Sequence, residues 1–178
     1  PREGFVENMR VNTSLLRRRL ADQNLWIEAR TLGKRTKSTI SIAYVNGIVE
    51  QSIVDELYTR LDRIDTDEIL EDGELEELIQ DAFYTPFPTV YTTERPDTAV
   101  SHLLEGKIAI ILDGSPMVLI IPALFVQFFH NAEDYTQRAD IGTLIRILRF
   151  MSIFIALLGP SIYIAVTTFH QELIPTGL

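Results

Sequence analysis

The uncharged run at 150–169 constrains the fold more than any other part of the sequence. Its twenty residues, from Phe150 to Phe169, contain no Asp, Glu, Lys or Arg. A helix rises about 1.5 Å per residue, so a helix of this length spans roughly 30 Å, the hydrocarbon thickness of a bilayer. A helix also satisfies its own backbone hydrogen bonds, as a lipid environment requires. The run therefore predicts a transmembrane helix, in which Gly159 and Pro160 are tolerated as a kink.

A buried helix of a soluble domain is the alternative explanation for this run. Such a helix usually keeps a polar face, and 150–169 carries no charge on any face. The position of the run, far from the first residue, is not that of a signal peptide. We therefore favour the membrane helix.

The residues on either side of the run indicate its orientation. Arg138, Arg146 and Arg149 precede it, whereas residues 170–178 contain Glu172 and no Lys or Arg. Positively charged residues tend to stay on the cytoplasmic side of a membrane. The long N-terminal part is therefore expected in the cytoplasm, and 170–178 is expected to begin an extracytoplasmic loop.

The charge of the rest of the chain is unevenly distributed. The 178 residues carry a net charge of −9 and no Cys. Thirteen acidic residues and only two arginines, Arg60 and Arg63, lie between positions 50 and 81. A solvated acidic helix face and a surface for a basic partner both explain this segment. The acidic balance argues against nucleic acid as a partner, and the lack of Cys excludes disulfides and thiolate metal sites.

The hydrophobic pattern predicts alternating helices and strands before the membrane segment. The helix that ends at Gly106 should bury Val100, Leu103 and Leu104, and the turn 113–116 (DGSP) should join two strands as a hairpin. The sum is an α/β domain over a mixed sheet. In chain order, the predicted elements are a helix at 5–21, strands at 25–32 and 39–45, a helix at 50–63, a short helix after Gly73, a strand at 90–92, a helix from 96 to Gly106, and strands at 107–112 and 117–121.

These elements suggest five consecutive parts. A connecting helix at 1–24 leads into an α/β subdomain at 25–130, and a juxtamembrane approach at 131–149 leads into the membrane helix. The last part is the loop that begins at 170. Within the subdomain, the apolar segment 123–129 either completes the core or lies against the membrane interface, and we favour the core. A chain that starts without Met and stops just after one membrane helix is expected to be a fragment of a longer membrane protein.

Histidine offers little for catalysis or metal binding. The three histidines, His102, His130 and His170, have no second histidine at the spacing of metal ligands. His102 is expected at the surface or the edge of the core, and His170 at the membrane interface.

Two other patterns resemble functional motifs only in part. Asp65 and Asp67 begin like a calcium-binding loop, but Ile69 and Leu70 occupy positions where an EF-hand has a ligand and a glycine. Ser115 lacks the flanking glycines of a nucleophile elbow and precedes a proline, which suits a turn. We therefore predict no catalytic, cofactor-binding or metal-binding residues, no cofactor and no enzymatic activity.

A series of short strings, in order along nearly the whole chain, resembles one family. The series resembles the A subunits of bacterial spore germinant receptors, the GerA family, which includes SpoVAF-like proteins. The strings are 1–5 (PREGF), Asn12 with 15–20 (LLRRRL), 35–37 (RTK), Tyr44 with Gly47, 93–97 (TERPD), 103–106 (LLEG), 113–116 (DGSP), 133–135 (EDY), 168–170 (TFH) and 174–176 (IPT).

This resemblance implies a place and a role. It implies a cytoplasmic region of two α/β subdomains followed by several membrane helices, of which this chain contains the second subdomain and the first helix. Such receptors sense nutrients and assemble with B and C subunits in the inner spore membrane. Their A subunits are thought to oligomerise into an ion channel, so a homo-oligomer is expected here.

The resemblance supplies no catalytic residues. Arg95 and Asp113-Gly114 look like family hallmarks, but their residue types suit a helix entry and a turn. Arg146 and Arg149 could meet lipid headgroups or couple to a gate, and we favour lipid.

Two functions remain open at this point. The chain is either a receptor or channel subunit that relays a signal or assembles the oligomer, or a membrane-anchored domain that binds a small-molecule nutrient in its own pocket. The first predicts self-association and the second predicts saturable ligand binding.

Overall fold

The structure, a computed structural model, describes residues 3–80, 89–123 and 139–169. The chain divides into two compact units, Pro1–Phe125 and Val126–Leu178, which are described separately. The helices and strands, in chain order, are α1 (Met9–Arg19), β1 (Leu25–Leu32), β2 (Ser38–Val45), α2 (Gln51–Arg63), α3 (Asp72–Ile79), β3 (Tyr91–Thr93), α4 (Pro96–Leu104), β4 (Ile108–Leu112), β5 (Val118–Ile121) and α5 (Ala139–Phe169).

The five strands form one sheet in the order β1-β2-β4-β5-β3. The α/β class is confirmed, but the expected mixed pairing is not, because all four neighbouring pairs are antiparallel. Helix α4 does connect two strands that run in the same direction, β3 and β4. These strands are not neighbours because the β4–β5 hairpin places β5 between them.

Helices cover both faces of this sheet. One face packs against α2 and α3, and the core there includes Ile42, Leu57 and Leu75. The other face packs against α1 and α4, around Leu16 and Leu103. Successive side chains of β4 alternate between these two cores, and all five of its residues are buried. The near-continuous apolar sequence of the central strands follows from this two-sided burial.

Helix α1 begins at Met9 and not at Phe5 as the periodicity predicts. The side chain of Asn8 caps the helix by accepting hydrogen bonds from the backbone N–H groups of Arg10 and Val11. The preceding segment is extended and is held by the buried Asn12, whose amide exchanges two hydrogen bonds with the backbone of Val6. Phe5 can therefore enter the core from outside the helix.

The 113–116 turn joins β4 to β5 and also ties two helices to the sheet. The carboxylate of Asp113 accepts a hydrogen bond from the N–H of Met9 at 3.1 Å, and the N–H of Gly114 donates to the carbonyl of Glu7 at 2.8 Å. The hydroxyl of Ser115 donates to the Asp72 carboxylate at the start of α3. Asp113 and Gly114, which resemble a family hallmark, thus have partners within the fold, as their residue types predicted.

The loop between β1 and β2 is bound to the loop between α2 and α3. The N–H of Arg35 donates to the carbonyl of Asp67 at 2.8 Å, and Thr36 accepts from the N–H of Ile69. Lys34 pairs with Asp65. Asp65 and Asp67, which resemble the start of a calcium-binding loop, therefore hold the loop of the β1–β2 hairpin in place.

Helix α4 ends as the sequence predicts, but it buries a different face. Gly106 follows the C-cap with φ +85°, the left-handed conformation that favours glycine. Ala99, His102 and Leu103 are buried, whereas Leu104, which was expected to be buried, is 49% exposed. The expectation was wrong because α4 buries the face that carries Ala99 and Leu103, and Leu104 lies about 100° around the helix from Leu103.

The second unit contains helix α5, a single element from Ala139 to Phe169. Within it, Ile147–Thr168 meets the length and composition criteria for crossing a membrane, with a mean hydropathy of 2.0 and no part buried. This agrees with the membrane helix predicted at 150–169. Pro160 lies inside the helix, and the hydroxyl of Ser161 donates to the carbonyl of Leu158 at 2.9 Å.

Replacing Gly106 by Ala should destabilise the first unit strongly. An added Cβ would lie 2.9 Å from the carbonyl oxygen of Ile48, and the positive φ strains any L-residue. We expect a loss of about 3 kcal/mol in the free energy of unfolding, measured by urea denaturation of residues 1–123. Gly47 is the control, because its φ is +86° but nothing lies within 4 Å of its added Cβ. Gly47→Ala should cost only about 1 kcal/mol. Equal losses of stability in the two variants would show that the contact with the Ile48 carbonyl adds nothing to the cost of Gly106→Ala.

Candidate functional site

Two candidate features of the first unit, an apolar groove and a buried polar cluster, lie at one end of the sheet. At this end, which we call the exit end, β1, β3 and β4 begin and β2 and β5 finish. It is marked by Leu25, Val45, Ile108, Ile121 and Tyr91. The chain leaves the sheet here at Ile121 and continues toward α5.

A groove of about 290 Å³ opens at the exit end, on the face covered by α2. Its apolar walls include Ile53, Leu57 and Val90, and Arg60 and Glu56 supply charge. The guanidinium of Arg60 donates to the Glu56 carboxylate at 2.8 Å and to the carbonyl of Ile79 at 2.9 Å. The full lining is Ser52, Ile53, Glu56, Leu57, Arg60, Ile79, Thr89, Val90, Ile121, Pro122 and Ala123.

This groove has the size and composition of a site for a small amphiphilic molecule. Ligand sites are typically apolar clefts with a few polar groups that fix orientation, and the lower end of their usual volume is about 300 Å³. Arg60 could face a carboxylate and Glu56 an ammonium group. Both side chains already have partners within the protein, so a ligand would have to replace part of those contacts.

A buried polar cluster lies on the other face of the exit end. The ammonium of Lys107 is 2.9 Å from Nδ1 of His102 and 3.2 Å from the Glu105 carboxylate. That carboxylate is 3.1 Å from the same Nδ1. The ring of Tyr91 contacts the His102 ring edge-on, with centroids 5.2 Å apart. A single imidazole nitrogen therefore faces both an ammonium donor and a carboxylate acceptor.

The electrostatics of this cluster follow from burial and pairing. Burial lowers the pKa of Lys107, and its hydrogen bond to Glu105 opposes that shift only in part. Burial alone would raise the pKa of Glu105, but the hydrogen bonds from His102 and Lys107 bring that pKa below its usual value. The cluster is therefore held together mainly by Glu105, which is half exposed, while Lys107 is almost fully buried.

A second polar cluster fastens the edge strand β1 to helix α2. The hydroxyl of Tyr58 donates to Glu28 at 2.9 Å, and Arg30 donates to Asp62 at 2.7 Å. The guanidinium of Arg30 also lies over the Tyr58 ring, 4.3 Å from its centre. Burial and the neighbouring carboxylate of Glu28 raise the pKa of Tyr58. These contacts fix β1 and do not suggest chemistry.

The structure separates the residues that the sequence singled out. His102 lies at the edge of the core, as expected, while His130 and His170 lie outside the described residues. Ser115 serves the 113–116 turn. The Arg95 guanidinium makes a two-pronged contact with Asp97 at the start of α4, and this contact lowers the pKa of Asp97.

Two residues of the exit end were missed by sequence reasoning. The sequence pattern indicates Lys107 only as the first residue of a strand and Arg60 only as one of two cations in an acidic segment. A cation directly before the apolar run 108–112 was the available signal for Lys107, since such a position is close to the core. Among the residues that the structure describes, no group of three His, Asp or Glu side chains could hold a metal ion.

The first unit and α5 together define a class: an α/β domain with helices on both faces of an antiparallel sheet, followed by a helix that can cross a membrane. A family model described as "Bacillus/Clostridium GerA spore germination protein" matches residues 1–178. The chain belongs to this GerA family, so the resemblance read from the sequence is confirmed.

Individual relatives agree with this membership. The chain is 52% identical over 178 residues to spore germination protein KA of Bacillus subtilis (strain 168), covering 100% of this chain and 33% of the relative. It is 46% identical to spore germination protein B1 of the same organism, covering 100% of this chain and 37% of the relative. Stage V sporulation protein AF, also from that organism, is 42% identical over 85% of this chain and 31% of its own length. The chain thus spans about a third of the length of these relatives.

A solved structure supports the fold of the first unit. The crystal structure of the N-terminal domain of the A subunit of the Bacillus megaterium spore germinant receptor GerK3 is similar, with a TM-score of 0.56 and 46% sequence identity. The similarity covers 69% of this chain and 98% of that one.

Removing the carboxylate of Glu105 should destabilise the first unit. Glu105→Gln leaves the buried ammonium of Lys107 without its anionic partner, and we expect a loss of about 2 kcal/mol at neutral pH. Because the folded pKa of Glu105 lies below its usual value, its contribution is present at neutral pH and fades as the pH falls through that folded pKa. The difference between the proteins should shrink accordingly in urea denaturation at acidic pH.

The matched control is the double variant Glu105→Gln with Lys107→Met. The double variant removes the buried ammonium of Lys107 together with the carboxylate of Glu105, so most of the stability lost in Glu105→Gln should return. Additive losses in the double variant would contradict the proposed pairing.

Proposed function

We propose that this chain is the membrane-proximal part of a germinant receptor A subunit and that it serves assembly or signal coupling in a nutrient-gated ion-channel complex. Family membership over all 178 residues, together with the succession of an α/β domain and a membrane helix, carries the proposal. The proposed role is that of a receptor subunit without catalytic activity.

The proposal includes the partners of this chain and its location in the cell. The chain would work with B-type and C-type receptor subunits and with further copies of itself in the inner spore membrane. The N-terminal domain would lie on the cytoplasmic side, which in a spore is the core, as the arginines before the membrane helix indicate.

The interior of the first unit favours a mechanical role over a chemical one. Three of its buried polar side chains make structural contacts: Asn12 holds the N-terminal segment, Ser115 holds the 113–116 turn, and Lys107 is paired at the end of α4. A rigid domain of this kind can transmit force or position neighbouring subunits.

Destabilising the domain should impair germination through assembly. In the full-length subunit, Gly106→Ala is expected to lower both spore germination and co-purification of the B and C subunits, because the domain that holds the complex no longer folds fully. Gly47→Ala is the control with the smaller stability loss and should retain both. Normal germination and co-purification in Gly106→Ala spores with a demonstrably unfolded domain would contradict the proposal.

A second candidate function is nutrient binding in the groove beside Arg60. Its apolar walls and its opposite charges suit a small zwitterion, such as an apolar amino acid. This reading requires a ligand that binds the folded domain, whereas the assembly reading does not.

Thermal unfolding of residues 1–123 distinguishes the two readings. If the domain only assembles and couples, a panel of amino acids, sugars and nucleosides should leave the unfolding midpoint unchanged. A saturable rise with one compound would favour ligand binding, since only a ligand of the folded state raises the midpoint in this way. Ser52→Phe, which narrows the groove, should abolish such a rise and otherwise leave the midpoint unchanged.

A further inference from the structure

Three large apolar side chains are exposed at the exit end of the first unit. Trp26, on β1, is 55% exposed, Ile48, in the turn after β2, is 45% exposed, and Leu104, at the end of α4, is 49% exposed. They come from three different elements, so no single amphipathic segment accounts for them.

The strand register brings these three residues to the same end of the sheet. Trp26 pairs with Tyr44, one residue before the last residue of β2, and Ile48 lies in the turn that follows. The end of α4 abuts that turn, because a Cβ added at Gly106 would lie 2.9 Å from the carbonyl oxygen of Ile48. Leu104 is two residues before this contact.

Basic residues lie at the same end. Helix α1 begins beside Asp113, at the opposite end of the sheet, and finishes close to the start of β1. Its last turn therefore places Arg17, Arg18 and Arg19 at the exit end, and all three are exposed. Glu3 pairs with Arg18 and Arg19. Asp22, Glu50 and the half-exposed Glu105 also belong to this end, as does the buried Lys107, so the local charge is mixed and close to neutral.

The short connection between the exit end and α5 indicates which partner could bind at the exit end. The described part of the first unit finishes at Ala123, and α5 begins at Ala139. The fifteen residues between them reach at most roughly 50 Å when fully extended. A surface at the start of this short connection to a membrane helix stays at high effective concentration near the bilayer.

We propose that the exit end docks on the surface of a lipid bilayer, with Trp26, Ile48 and Leu104 entering the interfacial region and Arg17 near the headgroups. Trp is enriched at membrane–water interfaces because its ring is amphipathic, and exposed Ile and Leu add apolar area. Arginine near the surface is attracted to anionic headgroups. The docking would fix the orientation of the domain relative to the membrane plane.

Trp26 is the sole tryptophan of the sequence and therefore reports this contact directly. The similar GerK3 domain, solved as a crystal structure of an N-terminal domain, indicates that the first unit folds without the membrane helix. We would titrate residues 1–123 with vesicles of phosphatidylcholine and phosphatidylglycerol. Tryptophan emission should shift to shorter wavelength on binding, and lipids brominated on their acyl chains should quench it.

Variants of the other two apolar residues test the same surface without changing the probe. Ile48→Ser and Leu104→Ser should each weaken vesicle binding by about tenfold, as expected from the apolar area withdrawn from lipid. Leu70→Ser is the matched control, because Leu70 is 62% exposed but lies beside the β1–β2 loop at the opposite end of the sheet. It should bind vesicles like the unaltered protein.

Four results would overturn the proposal. The first is the absence of vesicle binding by the folded domain, and the second is binding that Ile48→Ser and Leu104→Ser leave unchanged. The third is complete loss of binding at high salt, which would indicate adsorption by charge alone. The fourth is a concentration-dependent emission shift without vesicles, accompanied by dimers or larger species in sedimentation, because a second copy would then cover this end.

Discussion

The pairing of β2 with β4 is the interaction on which the rest of the first unit depends. It joins the β1–β2 hairpin to the β4–β5 hairpin, and its residues are buried between helices on both faces. The same sheet sets where every other feature lies. It places the 113–116 turn and the 33–37 loop at one end, and the groove, the buried lysine and the exposed Trp26, Ile48 and Leu104 at the other.

Two of the strings that resemble the family, 113–116 and 35–37, lie at the end of the sheet opposite the exit end. Asp113 and Thr36 bind other loops of the same unit, so they build the fold. The exit end carries a groove with opposite charges and a set of exposed apolar side chains.

Much of the fold could be predicted from the sequence, because its signals are local. The 113–116 turn, Gly106 and the apolar run 108–112 act through backbone conformation and strand patterning. Sheet order could not be predicted, since the insertion of β5 between β3 and β4 depends on contacts distant in sequence. The exposure of Leu104 and the burial of Lys107 could not be predicted either. Both residues lie at the ends of elements, where the sequence periodicity does not fix which side chains reach the core.

The β2–β4 pairing also has a consequence for how the chain acquires its structure during synthesis. Ile40 pairs with Leu112, about 70 positions further along the chain. The β1–β2 hairpin can form early because its contacts are local, but the inner edge of β2 stays open until β4 has left the ribosome. The nascent domain therefore exposes a long apolar strand edge for most of its synthesis, and that edge closes only shortly before the membrane helix emerges.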